Sequence, residues 1–271
     1  MLAIKEVECK TALNLSKIPG MTYCLNPYIG CQHGCIYCYA TFIGRFRNHP
    51  EDWGSFIDVK INFANILSKE VKKKQIGLVA IGTVQDAYQP IEAKYRLTRQ
   101  AIEILNGSNF PFEILTKSDL VCRDIDLFKN HPNVAVELTI TTIDENIRKI
   151  FEPNAPSVHA RLLALERLLA NGIETCVFFG PVIPYFSDSD NHLRRYFSVM
   201  EKIGVKKVLV DKLNYFASKM EKIIKAIGID YPKAIPYYRK VNSDPLGYTT
   251  WLKRRIREIT ADFKLSVEVL F

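Results

Sequence analysis

Nowhere in the 271 residues is there a run of the ~20 apolar residues that a membrane-spanning helix requires. The first residues, Met1-Leu2-Ala3-Ile4-Lys5-Glu6-Val7-Glu8, carry charge early and lack the apolar stretch of a secretion signal. The expectation is a cytoplasmic protein with no membrane partner. Low-complexity tracts, repeats beyond a βα unit and abrupt shifts in composition are also missing. One domain over residues 1–271 is therefore expected. Cysteine is scarce and odd in number, at seven, which argues against a disulfide framework. Cys9, Cys24, Cys122 and Cys176 stand apart, so no second closely spaced set exists. Nor is there an excess of acid. A net charge of +8 permits attraction to nucleic acid without establishing it. The densest basic runs, Lys72–Lys74 and Lys253-Arg254-Arg255-Ile256-Arg257, read first as solvated helix faces. Arg45, Arg47 and the C-terminal arginines would gain weight at the mouth of a site.

What is present is concentrated in residues 31–38. Cys31, Cys35 and Cys38 have the spacing Cys-x3-Cys-x2-Cys, with Tyr37 before the last. Three thiolates suit a soft metal or an iron–sulfur cluster. In a [4Fe–4S] cubane, three ligands leave one iron without a protein thiolate. An open coordination position keeps a metal available for chemistry. Gly30 and Gly34 allow the backbone to bend around a bulky core. The same cysteines with His33 would also suit a structural zinc. That alternative, a zinc-stabilised nucleic-acid-binding module without catalysis, leaves Asn26-Pro27-Tyr28 and Tyr37 unexplained.

The stretch Asn26 to Ala40 resembles the cluster loop of the radical S-adenosylmethionine (SAM) enzymes, and within them the branch containing spore photoproduct lyase. The resemblance implies a [4Fe–4S] cluster on Cys31, Cys35 and Cys38 whose open iron is chelated by SAM. It implies a reducing partner such as ferredoxin or flavodoxin, and a 5′-deoxyadenosyl radical that takes hydrogen from a substrate. DNA or RNA is one substrate class it suggests. Later motifs fit the branch. In Gly82-Thr83-Val84-Gln85-Asp86-Ala87-Tyr88-Gln89-Pro90-Ile91-Glu92, Thr83 and Asp86 are candidates for SAM contacts, although Asp86 or Glu92 would equally serve a helix N-terminus. Tyr37 is shared with the wider branch. Lys117 is carried over as the partner of the SAM carboxylate. Thr139 and Thr141 share a strand face and offer hydroxyls to SAM. Glu152 and Arg161 would pair structurally, and Gly180 allows close approach. One position departs from the pattern. Gly82 stands where the lyase has its hydrogen-donating cysteine, so dimer repair is not implied, and no catalytic side chain is assigned. Cys122 is either a displaced donor or a buried thiol.

Periodicity predicts an α/β chain. Strands are expected at 21–28, 76–82, 111–116, 133–141, 174–180 and 206–211, alternating with helices at 62–74, 92–105, 124–130, 144–151, 157–171 and 190–203. Six units in alternation imply parallel strands. The reading is a partial (βα)6 TIM-type barrel with its core at about 21–215, an open doubly wound sheet being the alternative. A helical C-terminal extension at about 216–271 follows, with helices at 216–227 and 248–261 and a strand-like tail at 265–270. Residues 40–56 form an irregular aromatic segment assigned to substrate.

Overall fold

The computed structural model describes all residues except Met1, 47, 48 and 215, and the side chains of 45, 46 and 216–218. Arg47 and the side chain of Arg45 thus lie outside the described residues. Among those described, eleven strands run β1 Ala3–Val7, β2 Leu13–Leu15, β3 Tyr23–Leu25, β4 Tyr28–Ile29, β5 Phe56–Lys60, β6 Val79–Ile81, β7 Phe112–Thr116, β8 Val134–Thr139, β9 Glu174–Val182, β10 Lys207–Lys212 and β11 Ser266–Val269. The larger sheet has the order β11-β10-β9-β8-β7-β6-β3-β2. From β3 to β11 every pair is parallel.

That order separates the two architectures left open by periodicity. A doubly wound sheet reverses its strand order at a switch point. Here the six core strands follow chain order without reversal, so successive right-handed crossovers lay their helices on one face. The other face becomes a lumen. The chain is a partial barrel, with β2 and β11 as the ends of its sheet. Burial follows the pleat. Phe112, Ile114 and Thr116 of β7 are buried, while Glu113 and Leu115 point the other way and are less covered. Val79, Ile81, Val136, Leu138, Val177, Phe179, Val208 and Val210 continue the core across the sheet. Each such side chain contributes about 1.5–3 kcal/mol on burial.

Several expectations need correction. The strand expected at 21–28 divides into β3 and β4, and β4 pairs with β5 in a separate β1-β5-β4 sheet. Residues 3–7, read as a lead-in, and 56–60, whose start closed the irregular segment, are therefore strands. The helix expected at 92–105 breaks at Arg96, whose φ of 53° is left-handed, giving Glu92–Tyr95 and Leu97–Asn106. Ala234–Ser243 is a helix that was not anticipated. The tail at 265–270 becomes β11, and so extends the barrel sheet. Helices Asp190–Ile203 and Phe216–Ile227 have the expected bounds.

Candidate cluster and cofactor site

The cysteine loop leaves β4 at the carboxyl end of the core strands, where α/β barrels place their chemistry. Two sequence motifs interlock to hold it. The Asn26 amide donates to Thr83 Oγ1 at 2.9 Å and accepts from Val84 N at 3.2 Å. The Tyr28 hydroxyl, fully buried, donates to Glu92 at 2.5 Å. Gln89 donates to the Gly30 carbonyl at 3.2 Å and accepts from Gln32 N at 2.8 Å. Gln32 in turn accepts from Ile91 N at 2.6 Å. Tyr88 reaches Asp124 at 3.0 Å. The polar residues of Asn26-Pro27-Tyr28 and of the 85–92 stretch thus clamp the loop. Gly30, at φ 87°, lies so close to the Phe56 carbonyl that any Cβ would overlap it.

The loop faces one cavity of about 260 Å³. Cys31, Cys35 and Cys38 line it, together with Tyr37, Thr83, Asp86, Lys117 and Thr139. Of the residues expected at the site from sequence, these eight meet in one place, whereas Thr141 does not line it. Thr139 pairs in register with Phe178, and Leu115 and Lys117 project beside it from β7 and its end.

Charge is arranged in two buried groups. Asp86 accepts from Tyr88 N at 2.9 Å, Thr116 Oγ1 at 2.6 Å and Lys117 N at 2.8 Å, with His33 Nδ1 3.3 Å away. Burial alone would raise its carboxyl, but His33, the Thr116 hydroxyl and the Lys117 N–H hold it well below the ordinary range. Its oxygens are already engaged within the chain, so Asp86 braces the wall of the cavity. Below Tyr37 lies Glu152, fully buried, which accepts from the Tyr37 hydroxyl and from Thr141 at 2.9 Å and pairs with Arg161. Arg161 is 1% exposed and also donates to the Thr139 carbonyl at 3.2 Å. Burial would raise Glu152, yet Arg161 and Lys117 hold it at about 2. Thr141, grouped with Thr139 by strand alternation, is thus turned to Glu152 and does not line the cavity.

Lys117 places its ammonium 5.8 Å from the centre of the Tyr37 ring and makes no ion pair among the described residues. Burial works against its charge, but Cys35, Glu152 and Asp86 raise its pKa, so it stays a cation. Cys35 is pushed up to about 12 by burial. A metal bound there would take it as the thiolate.

The cavity also has polar groups left over. His33 Nε2, Gln85 Nε2, Trp53 Nε1 and Thr139 Oγ1 are buried without hydrogen-bond partners, and all four residues line it. Buried donors normally have partners. The Gln85 and Trp53 N–H groups beside three thiols suit the sulfur-rich surface of a cluster, and the Thr139 hydroxyl suits a polar cofactor. No three His, Cys, Asp or Glu side chains among the described residues converge on one ion-sized point. Cluster ligands need not converge, since each binds its own iron. The donor set fits a [4Fe–4S] cluster with SAM.

A model of the radical SAM superfamily matches residues 25–197. The chain belongs to the radical SAM superfamily. An uncharacterized protein of Methanocaldococcus jannaschii is 41% identical over 188 residues, 69% of this chain and 70% of that one. A radical SAM Nα-GlyT isomerase of Pseudomonas phage M6 is 24% identical over 214 residues, 77% of this chain and 44% of the isomerase. Among solved structures, a spore photoproduct lyase variant superimposes with a TM-score of 0.73 at 16% identity, covering 99% of this chain and 82% of the lyase. This last likeness concerns the fold.

For a radical SAM protein, the sequence left several cavity residues unassigned. Trp53 lay in a segment marked only as aromatic. Gln85 sat unremarked in its motif. Asp211, Lys212 and Asn214, at and beyond the end of β10, line the cavity but carry no motif. The one available signal was their place at the carboxyl end of a core strand. Gly82 lines the cavity as well, and Cys122 does not. Cys122 is buried against the Ala164 carbonyl at 3.6 Å, which is the structural one of its two expected roles.

Proposed function

We propose that this chain is a radical SAM enzyme that carries a [4Fe–4S] cluster on Cys31, Cys35 and Cys38 and takes hydrogen from a nucleic-acid substrate. When bound, the cluster and SAM would supply a 5′-deoxyadenosyl radical from one electron delivered by a carrier such as ferredoxin or flavodoxin. The observation that carries the reading is the single cavity shared by the three thiols, the Lys117 ammonium and the unpartnered Thr139 hydroxyl. Lys117 would neutralise the carboxylate of SAM, and Thr139 and Thr83 would accept or donate hydrogen bonds to its polar atoms. Tyr37 would wall the cofactor from the protein interior, held upright by Glu152. Phe178, Leu115 and Val84 would keep water from the reacting carbon.

The nucleic-acid part rests on a neighbouring feature. Thr249, Lys253, Arg254, Arg257 and Phe271 line a second hollow along the helix Pro245–Thr260. Lys212 joins the two, since it lines the first cavity and donates to Thr249 Oγ1 at 3.1 Å. The basic side chains of this hollow, which Glu258 also lines, suit a phosphate backbone. Among the described residues no helix is long and apolar enough to cross a membrane.

The experiment is anaerobic reconstitution with iron and sulfide, reduction, addition of SAM and assay of 5′-deoxyadenosine, with Cys31→Ala/Cys35→Ala/Cys38→Ala as control. Product from the parent alone supports the chemistry. A colourless protein with stoichiometric zinc and no cluster overturns it in favour of the binding module. Absence of salt-sensitive binding to single-stranded DNA and RNA overturns the substrate class.

A further inference from the structure

Trp53 lies outside the cysteine motif, in the loop before β5. Its side chain lines the cavity beside Cys38, and its Nε1 is buried without a hydrogen-bond partner. A buried indole N–H normally has one. The ring does not owe its position to chance packing. It meets Phe56 edge to face, with centroids 6.1 Å apart and planes at 78°. The next residue, Gly54, has φ 102°, and a Cβ there would stand 2.9 Å from Gly34 Cα. The loop therefore presses main chain against main chain onto the turn between Cys31 and Cys35. Two residues further, the Phe56 carbonyl abuts Gly30. Both glycines of the cysteine loop are thus docking points for residues 54–56, and the docking brings Trp53 to the third cysteine.

The geometry points to Trp53 Nε1–H as the donor to the Cys38 sulfur when that sulfur is a cluster ligand, which makes Trp53 a positioning residue that raises the cluster's reduction potential. This rests on the cluster reading above. A hydrogen bond to a ligand sulfur favours the more negative, reduced state of the cluster. Indole is a donor only, so it cannot compete as a ligand.

The test is a reductive titration of reconstituted parent and Trp53→Phe, followed by electron paramagnetic resonance of the reduced cluster. The substitution keeps the aromatic packing and removes the N–H. With equal iron and sulfide content, Trp53→Phe should show a reduced-to-oxidised ratio about tenfold lower at a fixed potential, equivalent to about 59 mV for one electron. A second measurement needs no variant. Parent labelled with 15N-tryptophan should show a 15N coupling to the reduced cluster. The sequence has two tryptophans, and Trp251 packs on Tyr248 and is not in the cavity wall. An unchanged potential in a fully loaded Trp53→Phe, or no 15N coupling in the parent, overturns this assignment alone. A parent that binds no iron overturns it together with the cluster reading.

Discussion

Replacing Glu152 by Gln leaves the shape of the site intact and strands a charge. Glu152 is 0% exposed and Arg161 is 1% exposed. The carbonyl of the introduced amide can still accept from Tyr37 and Thr141, but the guanidinium loses its counter-ion. Breaking a buried pair in this way costs about 3–5 kcal/mol. The titration of the group gives a similar figure. A carboxyl lowered from 4.5 to about 2 corresponds to about 3 kcal/mol of folded-state preference for its charged form. Against a total stability of about 5–15 kcal/mol this is a large share. Urea unfolding at pH 7 should show it, and the melting temperature should fall by roughly 6–20 °C. The sign in acid follows from the depressed pKa. The contribution is complete above about 4.5 and is lost as pH falls towards 2, so the parent should lose stability with acid more steeply than Glu152→Gln. Arg161→Met and the double variant close the cycle. The two single losses together should exceed the double loss by about 1–3 kcal/mol. A Glu152→Gln loss below about 1 kcal/mol, or additive variants, would refute the reasoning that this pair is a desolvated, mutually dependent unit beneath Tyr37.

Three further outcomes are expected. Lys117→Met removes the cation facing the cavity and should weaken SAM binding to cluster-loaded protein about 10- to 100-fold by calorimetry, the loss of one charge-assisted hydrogen bond; a change under twofold counts against Lys117 as the carboxylate partner. Gly54→Ala places a Cβ against Gly34 at a left-handed φ and should cost roughly 1–3 kcal/mol in urea unfolding while lowering iron content after reconstitution. Asp188 is 2% exposed, accepts from Tyr237 and Tyr248 at 2.9 Å each, and has its carboxyl pushed up by burial. A raised carboxyl contributes stability below its unfolded pKa and loses it as pH rises through the folded value. Asp188→Asn, neutral throughout, should therefore gain on the parent between pH 4 and pH 7, and an equal difference at both values would contradict the buried clamp.

The parts of this protein legible in sequence were those set by neighbours along the chain. Parallel core strands buried on the helix side read as apolar runs, and Ser157 stands at the start of its expected helix, where it accepts from Ala160 N as a cap. The three cysteines declare themselves because cluster ligands on one turn must be closely spaced. The Glu152–Arg161 pairing was expected too, in a stretch that resembles the radical SAM branch. Tertiary structure alone decided which distant segments press on that turn. The β1-β5-β4 sheet joins residues 3–7, 28–29 and 56–60, short strands whose pairing partners no local pattern names. Thr141 turned from the cavity because Glu152 needed a donor, and Trp53 and Asp211 entered it because a loop docked and a strand ended there. Ligand spacing is a property of the chain, whereas the hydrogen bonds and charges that set a ligand's environment act through space.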